Sequence, residues 1–161
     1  DAFAILKKRR LNTEAFMIIG LIEVDKASLI RSLNFIKKLN VLARWYVAMP
    51  LPNTEFYDWV NKNGHFIEME QTQGTWSSKP PVMFETKFLN KNELIYYFYL
   101  LNSEVGNFLF LGYGKSKSKR FFITLFNVLK YNPKKMFDFV VWCLKAVILG
   151  KDFVFNRIGN Y

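Results

Sequence analysis

Cysteine, histidine and acidic side chains are what this 161-residue chain has least of: one Cys, one His, and thirteen Asp and Glu against twenty-three Lys and Arg. A single thiol, Cys143, closes no internal disulfide, and Cys143 with His65 makes no metal-ligand cluster. The expectation is a reducing, cytoplasmic setting, with Cys143 a small packed hydrophobe in an apolar helical pattern. Long apolar runs are missing as well. The run 137–150 is shorter than a bilayer span and is interrupted by Lys145, which argues against a membrane-crossing helix. No internal repeat, collagen-like period or low-complexity bias is present, which sets those classes aside.

What the chain does have is apolar mass. Hydrophobic residues make up 51% of it and aromatics 18%, with a mean hydropathy near zero, enough for one compact unit with a true core. The positive charge is unevenly placed. Residues 113–161 carry ten basic and two acidic residues, whereas the preceding 112 carry thirteen and eleven, so the basic character belongs to the C-terminal third. The segment 1–10 already reads as helix and opens on Asp1 rather than Met, which carries the expectation of a piece cut from a longer protein.

The pattern along the chain predicts an alternation of helices and strands. Residues 13–22 (TEAFMIIGLI) are an apolar run of strand length, the signature of a strand buried on both faces. Asp25 caps a helix through residue 40 with Leu29, Leu33 and Ile36 on one stripe and Lys37 and Lys38 near its end. Residues 41–49 (VLARWYVAM) form a second strand stopped by Pro50 and Pro52, and a short helix over 54–63 ends at Gly64. Such an order is that of a parallel α/β unit, whose ligands lie at the carboxyl ends of the strands, here near Gly20 to Asp25 and Met49 to Thr54. Residues 65–81 read as a long polar loop holding Trp76 and Ser77, with a short extended piece over 82–87. Asn90 and Glu93 start a helix through about residue 111 by a capping box, 112–119 is a linker, and two further helices follow, the last begun by Asn132 and Pro133 and ended at Gly150. His65, just past a helix-ending glycine, reads as a solvated residue complementing the helix dipole rather than as a base.

The two strand ends carry a resemblance. Phe16-Met17-Ile18-Ile19-Gly20-Leu21-Ile22-Glu23 resembles the strand-five G-x-I-x-G-x-x-E pattern of radical SAM barrels, and Met49-Pro50-Leu51-Pro52-Asn53-Thr54-Glu55-Phe56-Tyr57 resembles the P-x-P-G-T-x-L-Y turn after strand six. One amphipathic helix separates them, as in that family. The later Phe84-Glu85-Thr86, Leu89 and Lys-Asn-Glu-Leu start look like the segment that follows the barrel core in the cobalamin-binding subgroup.

The resemblance implies an α/β fold, a partial parallel (βα) barrel segment over 1–64, then a loop and helix packed on it over 65–112, and a basic amphipathic helical extension over 113–161. It implies S-adenosylmethionine cleaved at a [4Fe-4S] cluster to a 5′-deoxyadenosyl radical, with cobalamin as a further cofactor of the subgroup. Carried over residue by residue, the adenine contacts fall on Ile18, Gly20, Pro50 and Leu51. Phe16 stands where the pattern has its first glycine, Ile22-Glu23 replaces the usual proline-glycine, and Asn53 replaces the turn glycine. The cluster-binding C-x-x-x-C-x-x-C is not in this chain, so the resemblance implies a missing N-terminal part as first partner. A small-molecule or lipid-like substrate and a membrane surface are further expected partners. Nucleic acid is disfavoured, since no binding motif for it is present. The alternative reading is a non-enzymatic basic amphipathic module docking on a membrane surface or protein partner.

Overall fold

The computed structural model describes residues 2–11, 13–67, 80–105, 108 and 117–148. The chain folds as mixed α/β, with six helices and two small sheets among the described residues. Helix α1 (Ala2–Lys8) leads into strand β1 (Glu14–Ile19). Helix α2 (Lys26–Leu39) then crosses over to β2 (Leu42–Val47), which pairs with β1 in parallel from Glu14 opposite Leu42 to Ile19 opposite Val47. The predicted βαβ unit is therefore present. A partial barrel is not shown by this sheet, which has two strands among the described residues.

Local chemistry fixes the crossover. The Asp25 carboxylate accepts from the Ser28 backbone N–H at 2.8 Å to cap α2, and Asn40 ends the helix in the left-handed region at φ 50°, a conformation asparagine tolerates better than most residues. Leu29, Leu33 and Ile36, one stripe of α2, are buried with Ala43, Trp45 and Val47 of β2 and Ile19 of β1.

Beyond β2, Thr54 caps α3 (Glu55–Asn63), which leads into β3 (Gly64–Phe66); β3 pairs antiparallel with β4 (Phe84–Thr86). His65 and Phe66 are thus strand residues, not the start of a long loop. Their pairing partners lie some twenty residues on, a nonlocal contact that no local pattern announces. Gly64 ends α3 in an extended conformation, and a Cβ there would lie 2.1 Å from the Glu85 carbonyl oxygen. Glycine is therefore required by the approach of β4. Residues 68–79, including Trp76 and Ser77, lie outside the described residues.

The capping box at Asn90 and Glu93 opens α4 (Lys91–Glu104) as expected, though the helix ends with Val105 as its cap rather than near residue 111. Two ion pairs fix its direction: Lys26 with Glu93 at the helix starts and Lys37 with Glu104 at the helix ends. Both join residues 67 apart, so α4 runs parallel to α2. Helices α5 (Lys117–Tyr131) and α6 (Met136–Ile148) complete the chain, with a 3-10 turn, Pro133–Lys135, between them. The Asn132 side chain makes no cap. It is buried and donates to Ser103 Oγ at 2.9 Å and Glu104 Oε1 at 2.8 Å, so it ties α5 to the end of α4. One buried cluster runs from Ile19 to Phe139 and draws on all three predicted segments. Residues 112–116 of the predicted linker and 149–161 of the tail are not described.

Candidate functional site: the open sheet face and the strand ends

Alternation along β1 and β2 sends side chains to two unlike faces. Ala15, Met17 and Ile19 point with Ala43, Trp45 and Val47 into the core. Phe16 and Ile18 point the other way, opposite Arg44 and Tyr46, and remain 65% and 47% exposed. The expectation of a strand buried on both faces fails on this point. An apolar run hides its alternation when both faces are hydrophobic, and the Arg44 within VLARWYVAM was the available signal that one face is different.

The open face has internal order. Phe16 and Tyr46 stack with centroids 6.0 Å apart, and the Arg44 guanidinium lies 6.0 Å from the Phe16 ring. Arg44 Nε donates to the Glu14 carboxylate. Burial works to strip charge from Arg44, but Glu14 and the Tyr46 hydroxyl outweigh it and its affinity for the proton rises. An ion pair thus sits beside two exposed apolar side chains, an arrangement suited to a ligand with an apolar or aromatic body.

At the carboxyl end of the sheet the two predicted turns come together. Ala48 N–H donates to the Ile19 carbonyl at 2.9 Å, which extends the strand pairing one step and sets the turn at Gly20 beside the segment entering Pro50. Gly20 has φ +85°, Glu23 φ 58° and Asn53 φ 64°, so three left-handed residues shape the two turns. Of the four carried-over residues, Ile18 and Leu51 expose their side chains while Gly20 and Pro50 are buried. A Cβ at Gly20 would meet Leu94 at 2.9 Å and Phe84 at 3.0 Å. The space beside Gly20 is therefore filled by α4 and β4, and its missing side chain serves packing.

The outer edge of β2 is closed by a residue sequence reasoning missed. Buried Asn102 of α4 accepts from the Trp45 backbone N–H at 3.1 Å and donates to the Trp45 carbonyl at 3.1 Å, filling the place a neighbouring strand would take. The Trp45 indole Nε1 is buried without a partner among the described residues.

A second concavity, about 550 Å³, lies at the far end of α3 and is lined by Lys62, His65, Glu85, Thr86, Lys87 and Asn90. His65 Nε2 and Glu85 Oε1 are 2.7 Å apart across the β3–β4 pair, and Glu85 Oε2 accepts from the Lys91 N–H at 2.8 Å. Both oxygens of Glu85 are thus engaged in joining β4 to β3 and to the start of α4. Among the described residues no group of three His, Cys, Asp or Glu is placed to hold a metal ion. Cys143 is half-buried, and burial pushes its thiol pKa up, which disfavours the thiolate a reactive or ligating cysteine needs. No protein-family model, curated protein or solved structure matches the chain.

Proposed function

We propose that this chain is the C-terminal part of a radical SAM enzyme, whose β1–β2 unit forms one wall of a larger parallel barrel. One observation carries the reading: a parallel βαβ unit whose core side is packed against helices while the opposite face leaves Phe16 and Ile18 in solvent. Parallel sheets are almost always covered on both faces. In a barrel the helices lie outside and the other face lines the lumen, so the open face is the lumen side. The Asn102 cap on β2 leaves the outer edge of β1 as the place where further strands add.

The residues present fit part of what the reading requires. Ile18 and Leu51 would offer apolar contact to the adenine, with the Gly20 and Pro50 turns setting the backbone beside it. S-adenosylmethionine would supply radical chemistry on reduction. Three thiolates for a [4Fe-4S] cluster are not among this chain's residues, so the cluster belongs to the missing N-terminal part. Among the described residues none is fitted specifically to cobalamin. The substrate, a small or lipid-like molecule, would meet the Phe16, Arg44 and Tyr46 surface.

The test is S-adenosylmethionine binding to the full product of the gene that encodes this chain, measured anaerobically by equilibrium dialysis. Ile18→Glu is expected to weaken binding about tenfold or more, since it puts a charge where an apolar side chain is covered. Ile30→Glu, on the exposed side of α2, is expected to leave it unchanged. Equal binding by both variants, or none by the unaltered protein, contradicts the reading.

A further inference from the structure

Helix α5 is amphipathic in the reverse sense for a helix facing water. Its inward face buries Thr124, Asn127 and Val128, whereas Phe122, Phe126 and Leu129, at i, i+4 and i+7, stand exposed on the other side. Phe122 is 66% exposed and Phe126 is 61%. Helix α6 repeats the arrangement with Phe137, Val140 and Leu144, at i, i+3 and i+7, and Phe137 is 76% exposed. A helix that faces water turns its polar side outward, so both stripes are built to be covered.

We propose that the exposed faces of α5 and α6 dock on an anionic lipid surface, lying in the headgroup region without crossing it. Charge selects this occupant. Lys130, Lys134 and Lys145 are exposed beside the stripes, and the one acid of the two helices, Asp138, is engaged by Lys135 at 2.7 Å. The positive charge is therefore left for an outside partner. Composition points the same way. Cores of protein interfaces are rich in aromatics, Met and Arg and poor in Lys, whereas the described cations flanking these stripes are all Lys. Phenylalanine and leucine on one face with lysines alongside is the make-up of interfacial helices. Lys130 holds its ammonium over aromatic faces beside the stripe, Nζ 5.9 Å from the Phe126 ring and 5.1 Å from Tyr131, which keeps a cation at the apolar edge. Among the described residues no helix is long and apolar enough to cross a membrane. This proposal does not depend on the radical SAM reading.

The experiment is co-sedimentation of the 161-residue chain with phosphatidylcholine vesicles with and without phosphatidylserine. Binding is expected to require phosphatidylserine and to weaken as salt is raised. At about 1 kcal/mol for each lysine near an anionic surface, Lys134→Gln with Lys145→Gln lowers the partition coefficient about thirtyfold. Phe122→Ser with Phe137→Ser lowers it at least about tenfold, and unchanged helicity by circular dichroism shows that these exposed sites leave the fold intact. Failure to bind phosphatidylserine vesicles, or binding indifferent to both pairs of substitutions, overturns the proposal. So does retention of a single-stranded oligonucleotide in place of vesicles, or a dimer that Phe122→Ser with Phe137→Ser dissociates in the absence of any vesicle binding.

Discussion

Asn102 does the work of a strand with one side chain. Its amide meets both outward backbone groups of Trp45 and adds a third bond, donated to the Phe98 carbonyl at 2.9 Å. Alanine at this position leaves two buried backbone groups unpaired, at about 1–3 kcal/mol each. Asn102→Ala is therefore expected to lower unfolding free energy in urea by roughly 2–5 kcal/mol, and a loss under about 1 kcal/mol would show that the edge is not held this way. Nothing in the sequence announces this role, because an asparagine in YYFYLLNSE has no local reason to be buried; its partner lies 57 residues earlier. Gly20 was legible as special from its place at the strand end; what the sequence did not announce is that Phe84 and Leu94 occupy the space a side chain there would need.

Helices and their ends were the most legible elements, since caps are made by neighbours in sequence. Asp25 and the Asn90–Glu93 box act as caps where they were expected, and Thr54, expected only as the start of the short helix, caps it. The face a strand shows to the core was less legible: EAFMII is apolar on both sides of the pleat, and within β1 Phe16 and Ile18 differ from Met17 and Ile19 in standing exposed among the described residues.

Between elements, Glu104 is the junction of three helices, accepting from Lys37 of α2 and from Asn132 at the end of α5. Burial works to raise its pKa, but these two donors outweigh it and hold the carboxyl below the usual carboxylate range. A carboxyl depressed in the folded state contributes stability above its unfolded pKa and loses it as pH falls through the folded value. Glu104→Gln is accordingly expected to cost about 1–2 kcal/mol near neutral pH. In thermal melts the gap between the two proteins should close below about pH 4.3, the unperturbed glutamate value. A gap constant down to strongly acid pH would contradict the assignment.

At the scale of the whole molecule, the parallel sheet is finished on one side and unfinished on another. The β2 edge is capped and the core face is packed, while Phe16, Ile18 and Leu51 remain outside. A sheet face of that kind invites association. In sedimentation velocity the 161-residue chain is expected to self-associate, and Phe16→Ser with Ile18→Ser to shift it toward monomer; a monodisperse monomer for the unaltered chain would count against an open lumen wall. The parallel strand pair and its connecting helix were readable because each is local, whereas the extent of the sheet was not, because strand neighbours are set by contacts distant in sequence.

The most direct measurement is to read the gene upstream of Asp1. A wall of a radical SAM barrel requires the coding sequence to continue and to contain C-x-x-x-C-x-x-C on the order of a hundred residues or more ahead, the length of several βα units. An open reading frame that begins close to Asp1, or a long upstream region without the three cysteines, would contradict the account.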